Sequence, residues 1–328
     1  MAIPLQESDF LLINRAHRAY LRTRSVVGTA TVLCPQHEGI SRLSGRRFGI
    51  AVAAAEGMTK TFRLGATADL HCKISSAGSF KGMFARLAED VDALALCGDL
   101  VDYGLPAEAE ILLEELNPVL RKKIPTLAVF GNHEFESGKA DQVQKILTTG
   151  GITVLDGGAC EINGIGFAGI KGFSGGFGER VLEPWGESVI KRFVREAVDE
   201  ALKLESALAR LRTSQRIALL HYAPIAQTVS GEPPEVHPFL GCSRLEEPLD
   251  RYGVTAAIHG HAHRGSAEGR TKSGIPVFNV AMGLMELASA DHRPYRILEL
   301  PVPRTGPSAE CRCRVHRRQS HTKRCSCT

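Results

Sequence analysis

Three polar motifs in the sequence each follow directly after an apolar run of five to seven residues. The motifs read Asp-Leu-His at 69–71, Gly-Asp-Leu-Val-Asp at 98–102 and Gly-Asn-His-Glu at 131–134. The runs 62–68, 93–97 and 126–130 have the length and composition of buried strands, and amphipathic segments separate them. Since ligands of open α/β sheets bind beyond the carboxyl ends of the strands, we expect the three motifs to converge on one site.

Two more polar groups follow apolar runs in the second half of the chain. His221 comes after the run 216–220, and His261 and His263 come after the run 254–258. Each group alone is a weak signal, because a Gly-Asp turn often caps a helix and a half-buried strand often carries one histidine. It is improbable that all five groups would follow predicted strands, in this order, by chance. Their carboxylate, amide and imidazole donors suit divalent metals.

The alternation of strands and helices predicts the α/β class. Further strands are expected at 153–155, 160–162, 165–170, 216–220, 254–258, 276–281 and 295–300, and helices at 79–90, 106–123, 141–149, 187–211 and 244–252. Asn163-Gly164 predicts a hairpin between two of these strands, and Pro118 is expected to kink or shorten the helix 106–123. An alternating first half and a strand-rich second half indicate two mixed sheets face to face with helices outside, a four-layer α/β/β/α sandwich.

Charge is distributed unevenly along the chain. Residues 1–58 carry a net charge of +3 and residues 301–328 a net charge of +6, which leaves −5 for residues 59–300. An acidic central region argues against a nucleic-acid partner, since such binding depends on neutralising phosphates. No apolar run approaches the roughly 18 residues that span a bilayer, and cysteine usage indicates no disulfide framework in the core. We therefore expect no membrane partner and a reducing, cytoplasmic location.

Three regions are predicted along the chain. Residues 1–58 are expected to form an N-terminal extension of low order, residues 59–300 the folded domain, and residues 301–328 a basic Cys- and Arg-rich tail. The tail has two Cys-x-Cys pairs and two histidines, so it either binds a zinc ion or is disordered. Cys72 either packs beside the site or adds a ligand. The Gly-rich segment 171–178 lacks a Walker-type ending and is interpreted as a lid or cleft wall.

The five polar groups resemble the motifs of the calcineurin-like metallophosphoesterase superfamily, namely Asp-x-His, Gly-Asp-x-x-Asp, Gly-Asn-His-Glu/Asp, a single His and Gly-His-x-His. All five are intact, and the resemblance covers about residues 62–300. It implies the four-layer sandwich described above and a site for two metal ions. The first ion would be bound by Asp69, His71 and His263, the second by Asn132, His221 and His261, and both by Asp99. The catalytic residues would be His133, which faces the substrate, and Asp102, which holds the imidazole of His133.

The chemistry expected of such a site is hydrolysis of a phosphate ester. Two divalent cations about 3.5–4 Å apart can share a water molecule and make it a hydroxide nucleophile near neutral pH. A protonated His133 can act as general acid toward the leaving alkoxide, and a histidine-rich donor set suits Mn²⁺, Fe²⁺/Fe³⁺ or Zn²⁺ better than Mg²⁺ or Ca²⁺. We predict a metal-dependent phosphomonoesterase or phosphodiesterase for a small substrate. The alternative is a catalytically silent scaffold that binds a protein partner. The sequence indicates neither the substrate nor the oligomeric state.

Overall fold

Two β-sheets packed face to face, with helices on both outer surfaces, form the four-layer α/β/β/α sandwich that the sequence predicts. The computed structural model describes residues 60–289 and 291–302. The predicted N-terminal extension lies outside the described residues. So does the predicted tail with its cysteines, apart from its first two residues, which end the last strand.

Within the described residues the first sheet has five strands: β1 (Lys60–Thr67), β2 (Ala93–Cys97), β3 (Thr126–Val129), β4 (Thr153–Val154) and β11 (Arg296–Val302). Their order is β11-β1-β2-β3-β4, and every neighbouring pair is parallel except β11 with β1. The second sheet has six: β5 (Gly158–Ile162), β6 (Ile165–Gly169), β7 (Gln215–Leu219), β8 (Ala256–His259), β9 (Glu268–Arg270) and β10 (Pro276–Asn279). Their order is β5-β6-β7-β8-β10-β9, with parallel inner pairs and antiparallel pairs at both edges.

Helices cover the outer surface of each sheet. The first sheet packs against α1 (Lys81–Asp90), α2 (Pro106–Glu115), α3 (Asn117–Arg121) and α4 (Ala140–Thr149). The second packs against α5 (Ser188–Ala209) and α7 (Glu246–Tyr252), while the short helices α6 (His237–Leu240) and α8 (Met282–Ala288) lie in connecting segments. None of the described helices is both long and apolar enough to cross a membrane.

The alternation of side chains along a strand explains why both faces of the first sheet are apolar. In β2, Ala93, Ala95 and Cys97 face the second sheet, and Leu94 and Leu96 face the helices. All five are fully buried, as a continuous apolar run in a parallel sheet should be. The apolar layer between the sheets therefore holds them together and fixes the relative positions of their strand ends.

Besides the four-residue helix α6, which was not predicted, the observed elements differ from the predicted ones in three main places. The helix expected at 106–123 is two helices, because Pro118 occupies the first turn of α3, where a proline is tolerated. The edge strand β9 was not predicted, since Glu268 and Arg270 are polar and give no alternating apolar pattern. The seven-residue helix α8 also escaped prediction because it is short and has no side-chain cap. The hairpin at Asn163-Gly164 forms as expected, with φ values of 51° and 82°.

Candidate metal centre

The carboxyl ends of five strands from both sheets meet at one end of the sandwich. Asp69, Asp99, His221 and His261 each lie two residues beyond a strand end, after β1, β2, β7 and β8, and Asn132 lies three residues beyond β3. Contacts among them bring together all nine site residues expected from the sequence: Asp69, His71, Asp99, Asp102, Asn132, His133, His221, His261 and His263. The convergence that the motif spacing predicts is therefore present.

The backbone at this end of the sandwich is strained. Four candidate ligands have positive φ: Asp69 (58°), His71 (44°), Asp99 (48°) and His261 (71°). A non-glycine residue in this conformation costs about 1–3 kcal/mol and persists only where the surroundings hold it. Here the N–H groups of Asp69 and His71 donate to the carbonyls of Gly98 and Asp99, both at 3.0 Å. The loops after β1 and β2 thus fix each other.

The first group of metal-ligating atoms belongs to Asp69, His71 and His263, whose donor atoms lie within 4.8 Å of one another. Asp69 Oδ1 is 3.1 Å from His263 Nε2, and the backbone N–H of His261 donates to both Asp69 oxygens at 3.1 and 2.9 Å. His71 Nε2 is buried and has no hydrogen-bond partner. A buried nitrogen without a partner is costly, and a metal ion between these three side chains would satisfy it.

The second group belongs to Asp99, His221 and His261, again within 4.8 Å. Asp99 Oδ2 lies 3.4 Å from His221 Nε2, and Asn132 Oδ1 lies 3.0 Å from the same nitrogen. His221 Nδ1 is 3.1 Å from the carbonyl of Cys97. Because a carbonyl only accepts, Nδ1 carries the hydrogen, and Nε2 is the nitrogen left for a metal.

Asp99 lies between the two groups. Its Oδ2 is 3.4 Å from His221 Nε2 and 3.9 Å from His71 Nε2, so a single oxygen faces both groups of ligands. Its Oδ1 accepts the backbone N–H of His133 at 2.9 Å. Asp99 could therefore contact an ion held by either group.

Electrostatics couple the buried pair Asp99 and His221. Burial would raise the pKa of Asp99, but the facing His221 imidazole and the N–H of His133 hold that pKa well below its ordinary value. Burial likewise opposes the charged form of His221, but the Asp99 carboxylate outweighs it and raises the pKa of His221 to about 9. Burial together with the charge of His221 lowers the pKa of His261 to about 3. Without metal, the protonated His221 imidazole therefore faces an ionised Asp99 carboxylate below about pH 9.

Loading divalent metal onto the metal-free protein is expected to release protons. Histidine binds a metal as neutral imidazole, whereas His221 is protonated below about pH 9 in the metal-free protein. The apparent metal affinity should therefore rise with pH up to that value. Titration calorimetry near pH 7.5 in buffers of different ionisation enthalpy should count roughly one released proton from this residue. If metal binds and no proton is released, the proposed pairing of a protonated His221 with Asp99 is contradicted.

His133 lies beside the two groups and is held by a carbonyl. Its Nδ1 is 2.6 Å from the backbone oxygen of Asp102, and its Nε2 is 4.0 Å from Asp99 Oδ2. The contact expected from the sequence used the Asp102 side chain, but that carboxylate instead lies 3.4 Å from His71 Nδ1 and 3.4 Å from Lys73 Nζ. On that side the Lys73 ammonium attracts the carboxylate, which leaves the backbone carbonyl of Asp102 to His133.

This placement predicts that Asp102 supports a metal ligand. Asp102→Asn should weaken binding of one metal ion by about 10–100-fold, the usual effect of removing a carboxylate that orients a ligating histidine. At saturating metal the turnover should be largely restored, because the carbonyl that holds His133 remains. Metal titration of both forms measures the effect, with Asp141→Asn on the exposed surface of α4 as the matched control. If metal affinity is unchanged and turnover is lost, Asp102 instead holds the imidazole of His133, as expected from the sequence.

Glu134 has a positioning role that the sequence did not reveal. Its fully buried carboxylate accepts the N–H groups of Asp99 (3.2 Å), Leu100 (2.6 Å), Val101 (3.1 Å) and Gly131 (2.5 Å). It thereby joins the loops after β2 and β3. Burial and the nearby Asp99 charge raise the pKa of Glu134 to about 7. Its only sequence signal was its position directly after His133.

Close packing explains the glycine that precedes Asn132. A Cβ at Gly131 would overlap Asp99 Oδ1 and would lie 2.7 Å from His221 Cε1. No side chain fits there without displacing the Asp99 carboxylate.

Two other residues near the site, Cys72 and His259, are packing residues. The Cys72 thiol is fully buried in the core beneath the helices, and burial raises its pKa to about 12. His259 is also fully buried, and both ring nitrogens have partners, the Gly260 carbonyl at 2.7 Å and Thr228 Oγ1 at 2.8 Å. Neither presents a free donor atom to the two groups.

Comparison with known proteins identifies relatives of this fold. A profile of the calcineurin-like phosphoesterase family matches residues 62–265. No curated protein sequence matches significantly.

Among solved structures, the phosphopantetheinyl hydrolase of Mycobacterium tuberculosis has a TM-score of 0.50 at 15% identity, with 77% of this chain and 100% of that chain covered. A putative 5′-nucleotidase from Staphylococcus aureus has a TM-score of 0.45 at 14% identity, with 76% and 56% covered. The protein TT1561 of Thermus thermophilus has a TM-score of 0.42 at 14% identity, with 69% and 92% covered. At these identities the likeness concerns the fold alone.

Proposed function

The chain belongs to the calcineurin-like phosphoesterase family, and we propose that it hydrolyses a small phosphomonoester or phosphodiester at a centre of two divalent metal ions. The observation that supports this most is the position of Asp99, whose Oδ2 faces His71 at 3.9 Å and His221 at 3.4 Å. One carboxylate between two sets of ligands is what a centre of two adjacent ions requires.

The donor atoms fit such a centre. Asp69, His71 and His263 would hold one ion, Asn132, His221 and His261 the other, and Asp99 would contact both. When bound, the ions supply a water nucleophile activated near neutral pH and neutralise charge on the phosphoryl oxygens. The unpartnered His71 Nε2 and the histidine-rich set favour Mn, Fe or Zn.

His133 is the proposed general acid. Its Nδ1–H donates to the Asp102 carbonyl at 2.6 Å, which fixes the ring and directs Nε2 toward Asp99. The side chain is 31% exposed, so a substrate can reach it. In the proposed reaction the protonated ring passes the Nε2 proton to the ester oxygen as the phosphorus–oxygen bond breaks. The alkoxide therefore leaves as an alcohol.

A catalytically silent scaffold is not favoured, because all of the expected ligands and His133 are present and converge. The acidic central region favours a small substrate over a nucleic acid. The cytoplasmic location stays a prediction.

The test is hydrolysis of p-nitrophenyl phosphate and bis(p-nitrophenyl) phosphate by metal-free protein titrated with Mn²⁺. We expect nitrophenol release that rises with metal and saturates near two bound equivalents. The ratio of the two rates distinguishes a monoesterase from a diesterase. Two bound ions with no hydrolysis of either ester would contradict the proposed activity, and no bound metal would favour the scaffold.

A further inference from the structure

Lys171 brings a positive charge to the edge of the proposed centre. It lies two residues beyond the end of β6, beside the residues that follow β7. Its carbonyl accepts the N–H groups of His221 at 3.0 Å and Tyr222 at 3.1 Å. The backbone of Lys171 is therefore joined directly to that of a proposed metal ligand.

The ammonium group of Lys171 is surrounded by aromatic rings. Its Nζ lies 4.7 Å from the ring centroid of Phe173, 5.3 Å from that of Tyr222 and 5.9 Å from that of Phe135. It donates one hydrogen bond, to the Gly172 carbonyl at 2.8 Å. No carboxylate oxygen among the described residues lies within 4.0 Å of it. An anion beside this amine would therefore pair with its charged form.

The aromatic neighbours place this charge next to the reacting groups. Phe135 is two residues beyond the proposed acid His133, and its ring is 50% exposed. The ring of Tyr222 lies 4.5 Å from that of His261 and 5.4 Å from that of His221. The ammonium thus lies between the loop that carries the acid and the side chains of the second ligand group.

The segment that carries Lys171 is held firmly. Glu200 of α5, which is 1% exposed, accepts the Gly172 N–H at 2.7 Å and pairs with Lys203 Nζ at 2.7 Å. Gly172 has a φ of 81° and packs against Tyr222, where a Cβ would come within 3.1 Å. The lysine therefore needs little ordering to bind a ligand, which is how a preorganised site gains affinity.

We propose, on the basis of the function proposed above, that Lys171 binds a second anionic group on the substrate, beside the exposed ring of Phe135 at the edge of the proposed centre. The substrate class is then a phosphate ester whose other end carries a carboxylate or a further phosphate. An ammonium with unused donors in a partly desolvated site forms strong charge-assisted hydrogen bonds with such groups. The exposed Phe135 ring offers an apolar surface for the linking atoms.

Competitive binding of phosphonates to Mn²⁺-loaded protein tests this inference. Alkylphosphonates of two to five carbons are compared by calorimetry with the same chains ending in a carboxylate or a second phosphonate. At the best length the doubly anionic ligand should bind wild type about 10–100-fold more tightly, as expected for a hydrogen bond between charged groups. The carboxylate and phosphonate arms show which terminal group is preferred.

Three variants identify the residue responsible. Lys171→Met should abolish the preference and leave alkylphosphonate affinity within about twofold, since the metals bind both ligands equally. Lys171→Arg should retain the preference. Lys139→Met, which changes an exposed lysine just after the loop that carries His133, should retain it fully. Thermal melting checks that each variant is folded.

A preference that survives in folded Lys171→Met, or its absence in wild type at every length, would overturn the inference. Hydrolysis of p-nitrophenyl phosphate, which has no second anion, is measured in parallel. If wild type binds two metals but hydrolyses no ester, the proposed function fails whatever the binding result for Lys171.

Discussion

Asp99→Asn is expected to lower turnover of p-nitrophenyl phosphate more than 100-fold and to remove at least one bound metal ion. Removing a carboxylate that only supports a ligand already lowers metal affinity or activity by about 10–100-fold. The loss should be larger for Asp99, because its Oδ2 faces both ligand groups. Asparagine keeps the size of the side chain and removes its charge. The substitution therefore tests the charge between the two ions and not the packing around it.

Metal content and turnover are measured together, with Asp141→Asn as a surface control of the same chemical change. The control should bind two ions and keep its full activity. Retention of both ions and of most turnover in Asp99→Asn would mean that Asp99 does not bridge them. A variant that fails to fold is recognised by its melting curve, and Asp99→Glu, which keeps the charge at a different reach, then serves as the second variant.

His133→Ala is expected to lower turnover by about 10²–10⁴-fold, the usual contribution of a positioned general acid. The loss should be larger for an alkyl phosphate than for p-nitrophenyl phosphate, because nitrophenolate leaves readily without a proton. Both metal ions should remain bound. His133 Nε2 lies 4.0 Å from Asp99 Oδ2, beside the ligand groups and not between their atoms.

Two results would contradict this assignment. Equal losses for both leaving groups would mean that His133 does not protonate the leaving oxygen. Loss of one metal ion would make His133 a ligand, since His71, Asp102 and His133 also have donor atoms within 4.8 Å of one another. Metal analysis of the purified variant separates these outcomes.

Much of the fold could be predicted from the sequence because strands and turns depend on local sequence patterns. The five-residue run 93–97 is a strand from end to end, and the Asn163-Gly164 turn forms the expected hairpin. Convergence of Asp69 and Asp99 follows from a general property of parallel strands of one sheet, whose carboxyl ends lie at the same edge. His221 belongs to the second sheet and reaches them because the two sheets pack face to face.

The remaining features depend on how the loops pack against each other. The carbonyl of Asp102 contacts His133, while its carboxylate faces His71 and Lys73, and no sequence spacing encodes this arrangement. The role of Glu134 arises from four N–H groups on two separate loops. Lys171 reaches the site only because β6 and β7 are neighbours.

The most direct test of the account is anomalous X-ray scattering from crystals of the Mn²⁺-loaded protein. We expect two peaks, one contacting Asp69, His71 and His263 and the other contacting Asn132, His221 and His261. The Asp99 carboxylate should contact both, with the ions about 3.5–4 Å apart. A single peak at saturating metal, or two peaks that do not share Asp99, would contradict the two-metal centre proposed for this chain.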